Sequence, residues 1–257
     1  VTGHGLKDPD SALLTAPAAP RLRPDQETRI GSPIPRRDIP AKVDGSAVFG
    51  IDFKVDGMVY AAVRQAPQFG ASVARFDASQ VSGMPGVIGA YSLPTGVAVV
   101  AEHFWQAKTA LDRLDLAFVD GPNAAVDSAS VERQYRAALE GGPWNVIVDK
   151  GNAAGALAAD AIVREYVSPF QAHAALEPMN CTAKVSADRA EAWVPTQNGE
   201  QALAALSEIS GIPLAQCEVY KMDPGGGFGR RVTIPDYVRM ATNIAKQMPG
   251  VPIKMIW

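Results

Sequence analysis

Residues 225–229 read Gly-Gly-Gly-Phe-Gly, between Asp223-Pro224 and the pair Arg230-Arg231. Glycine at this density opposes a regular helix or a central strand, because its backbone loses the most freedom on ordering. The chain must turn here, with backbone N–H groups open to close approach by a ligand. Two guanidinium groups beside such a loop suit an anion such as a phosphate. The same residues also suit a tight turn with two solvated arginines, and taken alone they support both readings. No Lys-Ser/Thr follows, so this is not a P-loop, and it does not open a first βα unit as Gly-x-Gly-x-x-Gly. Upstream, residues 216–222 alternate as a strand, with Cys217, Val219 and Lys221 against Glu218 and Tyr220. Downstream, Pro235 suits a first helical turn, and Val238, Ala241, Ile244 and Ala245 line a helix ending near Pro249-Gly250. Strand, glycine loop, helix is a frame for binding a ligand outside a strand's C-terminal end.

The remainder of the 257 residues, 47% apolar and 20% charged, has ordinary globular composition and room for two domains. A net charge of −3 leaves no electrostatic footprint for nucleic acid. Cys181 and Cys217 lack a Cys-x-x-Cys spacing, and His4, His103 and His173 are scattered, so no zinc pattern is present. No apolar run reaches the ~18 residues of a membrane span, and no signal peptide is visible. Residues 1–37, broken by Pro17, Pro20, Pro24, Pro33 and Pro35, read as a Pro/Ala-rich linker. Residues 38–125 read as a compact α/β unit. It has strands over 58–64, 87–91, 96–101 and 116–119, and a short helix that Asp77 caps. A further helix over 104–113 carries Ala107, Ala110, Leu111 and Leu114 on one face.

A connecting helix falls within 126–143. Asp127 or Ser128 caps it, Val131, Tyr135, Ala138 and Leu139 form its stripe, and Gly141-Gly142-Pro143 stops it. Residues 144–257 form a second α/β region. It opens with a turn at Asp149-Lys150-Gly151-Asn152, a short helix over 153–159 and a strand over 161–167. A hairpin of 181–185 with 189–194 follows, then a helix over 197–210. The chain begins at Val1 rather than Met and ends on the apolar run Ile253 to Trp257, which reads as a piece of something larger.

Several stretches together resemble one family. Residues 37–45 with Phe49-Gly50-Ile51-Asp52, and then Gly57-Met58-Val59-Tyr60, look like the opening of a "hammerhead" domain. Residues 170–178 contain His173-x-x-x-Glu177-Pro178; Thr196-Gln197 and the Gly-Gly-Gly-Phe-Gly loop follow in order. This set is similar to the molybdenum-binding large subunit of the xanthine dehydrogenase/aldehyde oxidase family, in its isoquinoline 1-oxidoreductase β-subunit branch. The resemblance covers about residues 29–257 and implies an α+β fold: a hammerhead-type domain over 38–125, then part of a molybdopterin-binding domain over 144–257.

The resemblance further implies a molybdopterin cofactor, in its cytosine dinucleotide form, with Gln197 contacting an oxygen ligand of molybdenum and Gly227, Phe228 and Gly229 beside it. Arg230 or Arg231 either meets a cofactor phosphate or pairs across subunits. The expected activity is insertion of a water-derived oxygen into an N-heterocyclic aromatic or an aldehyde, with electrons passing to a small [2Fe-2S] subunit. Many relatives carry Gly-Lys-Glu after the Phe-Gly pair; here Arg230-Arg231-Val232 stand there, and Val232 supplies no carboxylate for a purine-like substrate. The family's base glutamate belongs to a later motif, so no residue of this chain is expected to be catalytic or to ligate metal. Segment 1–257 by itself is expected to be inactive and without cofactor. Glu177 reads as structural, bonded to backbone, and His173 as a satisfied structural residue. The alternative is a non-catalytic scaffold that docks the small subunit. Location is open, periplasmic by resemblance or cytoplasmic.

Overall fold

The computed structural model describes residues 31, 33, 35–141, 145–148 and 150–257. Residues 1–30 of the expected linker, together with Gly142, Pro143, Trp144 and Asp149 of the expected turns, lie outside the described residues. The strands are β1 (Val59–Gln65), β2 (Ser72–Phe76), β3 (Val87–Leu93), β4 (Gly96–Ala101), β5 (Leu116–Val119), β6 (Asn180–Val185), β7 (Ala190–Val194), β8 (Cys217–Lys221) and β9 (Ile253–Ile256). The helices are α1 (Ile39–Asp44), α2 (Phe104–Arg113), α3 (Ser128–Gly141), α4 (Ala153–Ala156), α5 (Gly199–Ser210) and α6 (Asp236–Gln247). The mixture of helices and sheet is α+β.

Seven strands form one sheet in the order β3-β4-β1-β9-β6-β7-β8, and β2 pairs with β5 separately. The centre is β9, parallel to β1 (Val59 opposite Ile253) and antiparallel to β6 (Asn180 opposite Ile256). A strand of four residues, three of them apolar, thus joins strands from the first half of the chain to strands from the second. All six residues of β4 are buried, as its unbroken apolar pattern requires. On one face Val97, Val99 and Ala101 meet Ala107, Ala110 and Leu111 of α2. On the other, Ala98 and Val100 share a core with Val238, Ala241 and Ile244 of α6. Helices α5 and α6 cover Cys181, Ala183, Ala192 and Val219 of the second half.

Local signals explain most boundaries. Asp77 accepts from Ser79 N–H at 2.9 Å and caps a 3₁₀ turn over Ala78–Gln80. Asn198 caps α5 by accepting from Gln201 N–H, and Gly211 ends it with φ +78°. Helix α1 was not expected; Pro40 in its first turn and left-handed Gly45 after it bracket one and a half turns.

Two expectations change. Residues 161–167 form no strand: Ile162, Val163 and Tyr166 are 85%, 81% and 90% exposed. An apolar run becomes a strand only beside an edge that accepts its N–H and C=O groups, and no described strand lies alongside. Helix α3 forms where expected but buries none of its stripe, with Tyr135 and Leu139 exposed. Its support is local. Asp127 Oδ1 accepts from Ser130 N–H at 2.7 Å, Ser130 Oγ accepts from Asp127 N–H, and Arg136 pairs with Glu132 and Glu165. Removing this cap by Asp127→Ala is expected to destabilise α3 by about 1 kcal/mol. Amide exchange should accelerate in the first turn of α3 and stay unchanged in β4. No helix among the described residues is long and apolar enough to cross a membrane.

Candidate functional site

Strand direction gathers the site. β7 and β8 are parallel neighbours, so the segments that follow them, Pro195-Thr196-Gln197 and the glycine loop, emerge at the same end of the sheet. β6 runs antiparallel to β7, which brings the preceding turn, Ala174 to Met179, to that end as well. Trp257 follows β9 there too, its N–H donating to Met179 O at 3.0 Å.

A buried ion pair ties these segments together. Arg231 has a fully buried side chain and meets Glu177 Oε2 at 3.1 Å. Its Nε donates to Gly226 O, Nη1 to Pro195 O and Nη2 to Glu177 O, at 2.9–3.1 Å. Glu177 in turn accepts from Ile51 N–H and Asn180 Nδ2 on Oε1, and from Gly225 N–H on Oε2. Burial lowers the pKa of the guanidinium and the Glu177 charge opposes that shift. This carboxylate is saturated with donors and has no freedom to act as a base, which agrees with its structural reading.

Above this knot the glycine loop is strained. Phe228 has φ +51° with its side chain 74% exposed, between Gly226 (φ +104°) and Gly229 (φ +91°). The other non-glycine residue with positive φ among the described residues is Ala174 (φ +48°), in the neighbouring turn. The two turns hold each other, since Glu177 N–H donates to Gly225 O at 3.0 Å. Strained backbone of this kind persists only where its surroundings fix it, and it concentrates at ligand sites. Among the described residues, the N–H groups of Gly226, Gly227, Phe228 and Gly229 find no acceptor. Successive free N–H groups on a bent backbone make an anion-binding concavity.

Gln197 stands beside this loop. Its N–H donates to Arg231 O at 3.1 Å, and its Oε1 accepts from Arg231 N–H at 3.3 Å. With the oxygen so engaged, the exposed amide nitrogen is the end left to donate. A Cβ on Gly227 would lie 2.4 Å from Gln197 Oε1, so any side chain there would push the carboxamide aside.

The two arginines part company. While Arg231 turns inward, Arg230 is 21% exposed, forms a bidentate pair with Asp236 at 2.7 and 3.0 Å, and lies 5.3 Å from the Trp257 ring centroid. Its ion pair with Asp236 is made within the chain. Arg230, Trp257 and the exposed His173 line a cleft of about 370 Å³ next to the loop. A second hollow of about 420 Å³ lies between Phe69, Thr95, Ile234 and Asp236. Among the described residues no group of three His, Cys, Asp or Glu side chains is placed to hold a metal ion.

Gln197, Gly227, Phe228, Gly229 and Arg230 thus fall on one end of the sheet. The inward role of Arg231, and the parts of Asn180, Asp236 and Trp257, had no local signal. Only the Glu177-Pro178 and Arg230-Arg231 pairings of residue types hinted at them.

Residues 139–257 match the family model of the molybdopterin cofactor-binding domain. The chain is 34% identical over 241 residues to the β-subunit of isoquinoline 1-oxidoreductase from Brevundimonas diminuta, covering 89% of this chain and 30% of that protein. It is 27% identical to a subunit of nicotinate dehydrogenase from Pseudomonas putida, covering 88% of this chain and 19% of that one. Its fold is like that of the aldehyde oxidoreductase from Desulfovibrio gigas, with a TM-score of 0.66 at 19% identity, over 92% of this chain and 31% of the other. The chain therefore spans between a fifth and a third of the length of these proteins.

Proposed function

We propose, from the premise that this chain is a relative of the molybdenum-binding large subunits of the xanthine dehydrogenase/aldehyde oxidase family, that the complete protein is a molybdenum hydroxylase. Its substrate is an N-heterocyclic aromatic or an aldehyde. The substrate gives up two electrons and two protons as water supplies the oxygen, and the electrons leave to a separate [2Fe-2S] subunit. The names of the relatives above support that substrate range. Val232, with no carboxylate to offer a purine, narrows it in the same direction. A hammerhead-type unit over 38–125 and part of the cofactor domain over 144–257, joined by 126–143, belong to the same reading.

One observation carries the proposal: the Gln197 amide and the unpartnered N–H groups of Gly226 to Gly229 converge at one end of the sheet. These are donors only, and they suit an electron-rich, acceptor-bearing group such as a molybdopterin, here in its cytosine dinucleotide form. When bound, that cofactor supplies the two-electron acceptor. Gln197 and the N–H groups of Gly227, Phe228 and Gly229 hold and orient it, and bare glycine backbone lets it come close. Arg230, stacked on Trp257 and braced by Asp236, presents a fixed positive charge beside it. In this reading Glu177 is structural, and the family resemblance puts the base in a later motif that residues 1–257 do not contain, so the isolated segment is expected to turn nothing over.

The test is metal and pterin analysis of the complete polypeptide, made with a competent cofactor pathway. About one molybdenum per chain is expected; a complete polypeptide free of molybdenum and pterin sinks the proposal. Gln197→Ala is expected to lower molybdenum retention after gel filtration roughly tenfold, as loss of a charge-assisted donor does. Its melting temperature should stay near that of the parent, since Gln197 is exposed.

A further inference from the structure

We infer that Tyr237 is a positioning residue for the Gln197 carboxamide, acting through a hydrogen-bond chain from its hydroxyl to Thr196 and the Arg231 carbonyl. This rests on the cofactor-facing role proposed for Gln197. Tyr237 belongs to neither sequence motif; it comes from the first turn of α6. It is 1% exposed, and α6 is anchored in the main core by Val238, Ala241, Ile244 and Ala245. Its hydroxyl therefore projects from a rigid support.

The Oη of Tyr237 is 2.9 Å from Thr196 Oγ1 and 3.2 Å from Arg231 O. Thr196, also 1% exposed, reaches Arg231 O at 3.2 Å and accepts from Asn198 N–H at 3.1 Å. The Arg231 carbonyl also accepts from Gln197 N–H at 3.1 Å, while Arg231 N–H donates to Gln197 Oε1 at 3.3 Å. One peptide residue thus clamps Gln197 by both its backbone and its side chain. The side-chain bond is long, so it depends on Arg231 being held from behind. The buried ion pair anchors its side chain, and Tyr237 and Thr196 are the side chains that hold its carbonyl. Without the Tyr237 hydroxyl, no water-exposed replacement reaches this buried pair, and the Thr196 hydroxyl can turn to Asn198 O, 3.2 Å away. The clamp then loosens at the residue that the cofactor meets.

Amide hydrogen exchange on the complete polypeptide without cofactor tests the chain directly. Arg231 N–H has Gln197 Oε1 as its acceptor, so its exchange reports where the carboxamide sits. Tyr237→Phe is expected to accelerate exchange at Gln197 and Arg231 about tenfold, the scale of one buried hydrogen bond. Exchange at Ala241 and Ile244, in the middle of α6, should not change. Thr196→Val should repeat the effect and Thr196→Ser should restore parental exchange. In the loaded protein, the Mo(V) paramagnetic resonance signal of Tyr237→Phe should shift in the same direction as that of Gln197→Ala. The double variant should shift no further. Exchange at Gln197 and Arg231 within twofold of the parent overturns the inference, and so does acceleration that extends equally through α6. Failure of the functional reading looks different: an unaltered Mo(V) signal in Gln197→Ala, whatever exchange shows at Arg231.

Discussion

In equilibrium urea unfolding, Glu177→Ala is expected to cost about 3–5 kcal/mol, the range for breaking a buried pair on one side. The Arg231 side chain has no solvent exposure, so its charge would stay buried without a counter-ion. Three further donors, Ile51 N–H, Asn180 Nδ2 and Gly225 N–H, would lose their acceptor at the same time. These donors come from the loop after α1, the start of β6 and the glycine loop, so the loss reaches the glycine loop and two segments beside it. The double variant Glu177→Leu with Arg231→Met removes both charges and should recover part of the loss, because burying an ion pair is itself costly. A single substitution costing under about 1 kcal/mol would show that the pair is hydrated and that the knot does not hold the site. The cost bears on function through geometry: Gly225 and Gly226 both bond to this pair, and the strained Phe228 backbone needs such restraint to persist.

Elements whose apolar pattern decides their burial were legible in the sequence. The run Gly96–Ala101 is buried on both faces, and Ala107, Ala110 and Leu111 point inward from α2, because those patterns admit one orientation each. The strand, glycine loop and helix around Gly225 were legible for the same reason, with Cys217 and Val219 inward and a helix from Asp236. Long-range partners were not. Residues 253–256 and residues 161–167 are both short apolar runs. One becomes the central strand of the sheet and the other lies exposed, and only the neighbours decide between those fates. The Arg230-Arg231 pair shows the same limit at one residue's resolution. Adjacent and identical in type, one guanidinium is buried against Glu177 and the other lies near the surface with Asp236, and only their tertiary partners separate them. The close approach of backbone at the glycine loop was readable because it leaves a compositional trace. The Tyr237 hydroxyl, bonded from a helix to Thr196, leaves none.

Raising the pH from about 7 to about 10.5 is expected to stabilise the parent protein relative to Lys254→Met by about 3 kcal/mol. Lys254 lies in the central strand β9, is 1% exposed, and donates from Nζ to Ile51 O at 2.7 Å and to Phe53 O. Burial pushes its pKa down from 10.5 to about 8, against the pull of the Asp52 charge. Between those values the unfolded chain carries the proton and the folded chain does not. The unfolded state therefore binds more protons, and stability rises with pH across that window, reaching its full value above about 10.5 and fading as pH falls through about 8. The neutral amine still has two N–H bonds for the two carbonyls, so deprotonation keeps the contact while removing the cost of a buried charge. Other groups oppose this trend in the parent. Burial raises the pKa of Cys181 and of Tyr237, so their contributions are lost as pH climbs past the usual thiol and phenol values. The comparison with Lys254→Met cancels those terms, because both groups remain in the variant. Urea midpoints at pH 7, 8, 9 and 10.5 for the two proteins measure the difference. A difference that stays flat across the series would place the amine in contact with water. Residues 51–53, which Lys254 holds and through which Ile51 N–H reaches Glu177, would then owe their position to the carboxylate alone.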